Sequence, residues 1–217
     1  MTVISTKKLT PTQQELLLNT GLGLVHYNAL RVETLAIAQN EGFTKNIIIT
    51  SQNALNALNT LKPGDHVIYC VGSKTAQQVA LRGFNIVHAA VNAAALAQHI
   101  TSLSQVTSNY TYLCGDNRRD ELPAALLAAK IDFKEVKVYR TTMVERPYRR
   151  IFAAVLCYSP RGVIAFAKAN PKQTNCAICI GKTTATEAQN YFKRVITATI
   201  PTVENTIITA YKALQHD

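Results

Sequence analysis

Short turns that contain glycine, serine or threonine carry most of the residues in this sequence that could bind a ligand. Each turn follows a run of apolar residues and precedes a helical segment. Glycine permits a tight turn, and the free N–H groups and dipole of a helix N-terminus favour an anion. These turns are therefore candidate sites for carboxylates or phosphates. Their candidate residues are Ser51, Gln52, Asn53, Gly72, Ser73, Thr75, Gly115, Asn117, Arg118, Ser159, Arg161, Gly162, Gly181, Lys182, Thr183 and Thr184.

The hydroxyl groups in these turns have a second interpretation, because serine and threonine also cap helices. Capping and ligand binding are both open for Ser73, Thr75, Ser159, Thr183 and Thr184. The sequence GKT at 181–183 resembles the end of a P-loop, but the glycine required five residues upstream is Cys176. ATP hydrolysis is therefore disfavoured. The sequence also lacks a nucleophile elbow and an HExxH motif.

The five cysteines do not predict a metal site. Four of them lie in or at the end of apolar runs, which is typical of buried free thiols in a reducing compartment. Cys176 and Cys179 form a CxxC, but residues three apart in a strand point to opposite faces of the sheet. We therefore expect no metal.

A formal net charge of +10 is compatible with a nucleic acid, an anionic membrane or a polyanionic small molecule as partner. The basic residues are scattered and few aromatics accompany them, so we expect no nucleic-acid partner. An ordinary basic surface explains the charge equally well. The N-terminal residues do not resemble a signal peptide, and the apolar runs are short. We therefore expect a cytoplasmic protein without a membrane partner.

Strand-like and helix-like segments alternate along the chain, which predicts an α/β fold with parallel sheets covered on both faces. The predicted strands are Val3–Ser5, Asn46–Ile49, His66–Val71, Thr111–Cys114, Ala153–Cys157 and Ala177–Ile180. The helices that follow them are predicted at Gln13–Asn19, Ala54–Leu61, Ala76–Gly83, Leu122–Lys130, Val163–Ala169 and Ala185–Phe192. Two further strands, Gly23–Arg31 and Glu135–Arg140, lack a glycine turn and are predicted to cross between domains.

An internal repeat predicts that one domain is inserted into the other. The segment VGSKTA, which contains Gly72, resembles IGKTTA, which contains Gly181, and Ser51 aligns with Ser159. The order of the motifs matches only after circular permutation. We therefore predict a discontinuous lobe of residues 1–31 and 144–217, and an inserted lobe of residues 36–138. Residues 32–35 and 139–143 would be connecting strands that pair as a two-stranded ladder beside a cleft.

Tyr139 is the side chain best placed for chemistry, because it lies in VKVYRT where the chain is predicted to cross between the lobes. A phenol can donate a proton or a hydrogen bond to a departing oxygen. The alternative is a half-buried strand tyrosine with a structural role.

The ordered motifs ITSQNA, VGSKTA, LCGDNRRDELP, VKVYRT, YSPRGV, IGKTTA and PTVENTI resemble the uroporphyrinogen-III synthase family over almost the whole chain. The resemblance implies two flavodoxin-like lobes and a monomeric, cofactor-free hydro-lyase of haem biosynthesis. Its substrate would be hydroxymethylbilane, a linear tetrapyrrole with eight carboxylates, and its product uroporphyrinogen III. The resemblance is also compatible with a hand-over of the substrate from hydroxymethylbilane synthase.

The resemblance also implies roles for particular residues. Tyr139 would assist departure of the substrate hydroxyl, Thr75 would be the turn threonine, and Ser159 and Thr184 its counterparts in the other lobe. The first strand ends in STKK where the family has a TRP-like turn, so Lys7 or Lys8 would replace the usual arginine. The remaining alternatives are a non-enzymatic two-lobed receptor for a small anion and, on charge alone, a nucleic-acid-binding protein.

Overall fold

The computed structural model describes residues 1–38, 41–103 and 109–215. The chain divides into two compact units, each built around its own sheet. Unit 1 comprises Met1–Arg31 and Thr142–Asp217, and unit 2, Val32–Thr141, is inserted between these two segments. The chain passes from one unit to the other within strands β3 (Leu30–Thr34) and β8 (Phe133–Met143).

Unit 1 contains a five-stranded parallel sheet. Its strands are β1 (Thr2–Ser5), β2 (Gly23–His26), β9 (Ala154–Cys157), β10 (Cys176–Cys179) and β11 (Arg194–Thr197), in the order β11-β10-β9-β1-β2. Its helices are α1 (Pro11–Leu18), α5 (Pro160–Ala169), α6 (Lys182–Ala188) and α7 (Val203–Leu214). Two buried clusters, around Phe166 on one face and Ile178 on the other, show that helices cover both faces of this sheet.

Unit 2 contains a six-stranded sheet. Besides β3 and β8, its strands are β4 (Asn46–Ile49), β5 (Val67–Val71), β6 (Asn85–Ala90) and β7 (Tyr110–Gly115), and the order is β3-β8-β7-β4-β5-β6. A 3₁₀ helix (Gln52–Thr60) and α2 (Ser73–Ala80) pack on one face, and α3 (Ala93–Leu103) and α4 (Glu121–Ala128) on the other. The predicted α/β class, with two mostly parallel sheets, is therefore confirmed.

The two units share one strand order once the chain is permuted. The order β8-β7-β4-β5-β6 of unit 2 corresponds to β2-β1-β9-β10-β11 of unit 1. Ser51 and Ser159 are N-caps at equivalent places, and so are Gly72 and Gly181. The equivalent elements give a structural basis for the sequence repeat.

The predicted strand Gly23–Arg31 is wrong as a single element. It contains β2, an edge strand of the unit 1 sheet, and the start of β3, separated by residues 27–29. The break has a physical cause, because the pairing with β1 goes out of step: the N–H groups of Tyr27 and Ala29, two residues apart, donate to the adjacent carbonyls of Ser5 and Thr6 at 3.1 and 2.9 Å. Tyr27 and Ala29 are also buried, so the segment is held against the end of β1 but leaves the regular ladder.

Strands β6 and β11 and helices α3 and α7 were not predicted from the sequence pattern. Both strands lie at sheet edges, where one side of the strand is exposed, and neither forms a continuous apolar run. The helix predicted over 54–61 is a 3₁₀ helix that begins at Gln52. Within the described ranges, no helix is both long and apolar enough to cross a membrane.

Candidate functional site

A pocket of about 370 Å³ lies in unit 2 at the carboxyl ends of the strands. In open α/β sheets ligands bind at this edge. The pocket is lined by Thr50, Ser51, Val71, Val91, Asn92, Ala93, Tyr112, Asn117, Arg118, Arg119, Glu121, Leu122 and Tyr139. Its volume is within the range of small-molecule sites, which is about 300–1,000 Å³.

Tyr139 is aimed by an irregularity between β7 and β8. Cys114 pairs with Lys137, but the next residue, Gly115, pairs with Tyr139, so β8 contains one extra residue. Such a bulge redirects a side chain. A Cβ on Gly115 would lie 2.5 Å from Cε2 of Tyr139 and 2.9 Å from its hydroxyl oxygen. The tyrosine ring therefore occupies space that only glycine leaves open.

Asp116 fixes the backbone around Tyr139. Its N–H donates to the Tyr139 carbonyl at 3.0 Å, and its Oδ1 accepts from the N–H of Thr141 at 3.2 Å. The other carboxylate oxygen lies 3.5 Å from Nε of Arg140. The turn after β7 is thus tied to Tyr139 and to the two residues that follow it, which fixes the backbone that carries the ring.

Tyr112 and Thr50 place a hydrogen-bonded pair of hydroxyls in the pocket. Their oxygens are 2.8 Å apart, and either hydroxyl can be the donor. Tyr112 is buried, and burial raises the pKa of its phenol. Since the bond between the two groups uses one of their two hydrogens, the pair retains one hydrogen for a ligand.

Arg118 is bound to acidic side chains of its own unit. Its Nε donates to Oε1 of Glu135 at 2.6 Å, and Nη2 lies 2.5 Å from the same oxygen. Its Nη1 forms an ion pair with Asp120. The hydrogen bond to Glu135 is the largest cause of the raised pKa of Arg118. Arg118 therefore links the turn after β7 to strand β8.

The glycine turns begin helices without a side-chain cap. Gly72 and Gly181 are the N-caps of α2 and α6, and within the described chain no side-chain cap bond is made there. Gly72 has a φ of 86°, a conformation that favours glycine. Three residues further on, Thr75 and Thr184 are buried, whereas Ser73, Lys182 and Thr183 are exposed.

In the serine turns, by contrast, the serine side chain caps the helix that follows. Ser51 Oγ accepts from the N–H of Asn53 at 3.3 Å, and Ser159 Oγ accepts from the N–H of Gly162 at 3.1 Å. Capping therefore accounts for both hydroxyls. Gly162 is buried beside this cap, while Gln52 and Asn53 are exposed and Arg161 is partly exposed.

The turn after β1 uses its N–H groups internally. The N–H of Lys8 donates to Oδ1 of Asn28 at 2.9 Å, and that of Leu9 donates to Nδ1 of His26 at 3.2 Å. Both lysine side chains in this turn, Lys7 and Lys8, are exposed. Any anion bound here would contact these side chains rather than those two N–H groups.

The five cysteines are buried free thiols. Cys176 packs in the cluster around Ile178, and Cys179 packs in the cluster around Phe166 on the other face of the sheet. Burial raises the pKa of Cys114 to about 11. Among the described residues, no group of three or more His, Cys, Asp or Glu side chains could hold a metal ion.

A family model described as uroporphyrinogen-III synthase HemD matches residues 14–208. The chain belongs to the uroporphyrinogen-III synthase family. The resemblance found in the ordered motifs is thereby confirmed, and tetrapyrrole biosynthesis is the context of the family. The family match gives no support to the alternative of a non-enzymatic receptor.

Two solved structures share the fold across the whole chain. The uroporphyrinogen-III synthetase from Helicobacter pylori has a TM-score of 0.72 at 18% identity, with 99% of each chain covered. A mutant uroporphyrinogen III synthase from the extremely thermophilic bacterium Thermus thermophilus has a TM-score of 0.64 at 11% identity, with 100% of each chain covered. A search of curated protein sequences found no match.

The pocket brings together four of the residues that the sequence singled out: Ser51, Asn117, Arg118 and Tyr139. Sequence reasoning missed Thr50, Asn92, Tyr112, Arg119 and Glu121. Thr50 directly follows the apolar strand β4, and this position was a usable signal. Asn92 follows β6, which was not predicted, so nothing in the pattern pointed to it.

Proposed function

We propose that this member of the uroporphyrinogen-III synthase family cyclises hydroxymethylbilane to uroporphyrinogen III with loss of water. The hydroxyl leaves the ring A end, and ring D attacks through its already substituted carbon to give a spiro intermediate. That intermediate fragments and recloses with ring D inverted. This assignment makes the enzyme a hydro-lyase.

The observation that carries the proposal is the phenol of Tyr139, held over Gly115 at the edge of the unit 2 pocket. A phenol there can donate a hydrogen bond to the departing hydroxyl. The electron-rich pyrroles favour the carbon–carbon bond formation, so the protein mainly has to orient the chain. Orientation alone contributes many orders of magnitude to the rates of such ring closures.

The turn residues supply the proposed carboxylate contacts. Gly72 and Gly181 leave helix N–H groups without a side-chain acceptor, which supports backbone binding of carboxylates. Polar and basic side chains of the turns belong to the same proposal: Gln52, Asn53, Ser73, Asn117, Arg161, Lys182, Thr183, Lys7 and Lys8. Thr75 and Thr184 are buried behind the glycine turns and would position those turns.

The finer points of the assignment are also part of the proposal. We infer a monomer in the cytoplasm that takes hydroxymethylbilane from the synthase that makes it. The basic balance of the chain, +10, is consistent with an octacarboxylate substrate.

The deciding experiment supplies hydroxymethylbilane to the purified protein, oxidises the products and separates the porphyrin isomers by chromatography. We expect the type III isomer to predominate. Formation of the type I isomer alone, as in the absence of enzyme, would contradict the proposal. A salt-sensitive shift of DNA in a gel would instead favour the nucleic-acid alternative.

A further inference from the structure

Two adjacent arginines line the unit 2 pocket, and their surroundings differ. Arg118 has a side chain that is 23% exposed, and its guanidinium lies against Glu135 and Asp120. Both carboxylates belong to the protein, so they already compensate the charge of Arg118. A substrate carboxylate that bound Arg118 would have to compete with them.

Arg119 is exposed and lies in the same pocket. Within residues 1–38, 41–103 and 109–215, its guanidinium makes no ion pair and donates no hydrogen bond. Its carbonyl, in contrast, accepts from Nη1 of Arg118 at 3.5 Å. This contact involves only the backbone of Arg119 and leaves its side chain available.

We infer that Arg119, rather than Arg118, is the pocket cation that binds a carboxylate of the ligand. The inference rests on the proposed function for the identity of that ligand, an eight-carboxylate tetrapyrrole. Guanidinium groups bind carboxylates in a bidentate, planar geometry that an ammonium cannot reproduce. Arg118 is then a positioning residue that braces the turn against β8.

Glu121 limits where the carboxylate binds. It also lines the pocket, is exposed and forms no ion pair within the described residues. As the first residue of α4, it places negative charge at the helix end that would otherwise attract an anion. The ligand carboxylate therefore binds to the Arg119 guanidinium and not to the N-terminus of α4.

The test measures the affinity for uroporphyrin III, a stable fluorescent octacarboxylate, by quenching of its fluorescence. We expect Arg119→Gln to weaken binding about tenfold or more, since the charged, bidentate contact with the carboxylate is lost. Arg119→Lys should restore part of the affinity. Lys62→Gln is the matched control, because it removes an exposed charge that precedes β5. Lys62 therefore lies at the amino ends of the strands, whereas the pocket lies at their carboxyl ends. It should leave the affinity unchanged.

Steady-state assays add a second measurement. Arg119→Gln should raise KM about tenfold and leave kcat within about twofold, as expected for an interaction equal in ground and transition states. Arg118→Gln should lower the melting temperature, because Glu135 loses its partner, and a folded Arg118→Gln protein should lose less affinity for uroporphyrin III than Arg119→Gln does.

Three outcomes would overturn the inference: unchanged affinity in Arg119→Gln, an equal loss in Lys62→Gln, or an equal loss in an Arg118→Gln protein of wild-type melting temperature. These outcomes are separate from failure of the proposed function. A wild-type protein that forms only the type I isomer contradicts the reaction, whereas the porphyrin titration still tests Arg119. If the wild-type protein forms the type III isomer but Arg119→Gln leaves the affinity unchanged, only the inference is contradicted.

Discussion

The ends of the paired strands β7–β8 and β1–β2 occupy equivalent places in the two units, but they are built differently. In unit 2 the register shifts by one residue, so that Tyr139 lies opposite Gly115. In unit 1 the register is regular, and His26 lies opposite Ser5. His26 accepts the N–H of Leu9 at 3.2 Å, whereas Tyr139 lines a pocket.

The same strand arrangement therefore has a different role in each unit. At the unit 1 strand end, the side chains of His26 and Asn28 accept hydrogen bonds from backbone N–H groups of the turn after β1. These bonds hold that turn in place. At the unit 2 strand end, the bulge and Gly115 direct an aromatic side chain towards a cavity. We therefore expect substitutions near β8 to affect turnover and substitutions near β2 to affect stability.

Gly115→Ala should give the largest effect. The new Cβ would overlap the ring of Tyr139, so we expect turnover to fall about a hundredfold and stability to fall by about 1–3 kcal/mol. The measurements are kcat from the isomer assay and the free energy of unfolding in urea. Gly42→Ala is the matched control, because a Cβ there meets nothing within 4 Å. Wild-type turnover in Gly115→Ala would show that the ring position is not needed.

Tyr139→Phe against His26→Leu tests the comparison directly. Tyr139→Phe keeps the ring and removes the hydroxyl, so turnover should fall about a hundredfold with little change in stability. His26→Leu removes the acceptor of the Leu9 N–H, so stability should fall by about 1–2 kcal/mol while the folded enzyme keeps its kcat. The comparison fails if Tyr139→Phe turns over normally at saturating substrate, or if His26→Leu loses kcat at full stability.

Ser51→Ala and Ser159→Ala should have the smallest effects and should resemble each other. Each loses one N-cap bond, so the free energy of unfolding should fall by about 1 kcal/mol in both. Chemical denaturation measures this, and porphyrin titration serves as the readout of binding. A clear loss of affinity in only one variant would indicate that this serine contacts the ligand besides capping its helix.

The sequence by itself predicted the fold class and pointed to the family. Alternating apolar runs and helical segments predict parallel sheets, because strands buried on both faces read as continuous apolar runs. The ordered motifs carried the resemblance to the uroporphyrinogen-III synthase family. Glycine at positions 72 and 115 also predicted special backbone sites. The structure agrees, because Gly72 has a positive φ and Gly115 has no room for a side chain.

Only the tertiary structure decided which residues share a pocket and which are occupied elsewhere. The edge strands β6 and β11 lack a continuous apolar run, so their place depends on pairing with β5 and β10. Arg118 and Arg119 are the same residue type in the sequence, and what separates them is Glu135, a partner 17 residues from Arg118 that β8 brings to the turn. Tyr139 reaches the pocket because the register shifts between β7 and β8, and that shift exists only where the two strands pair.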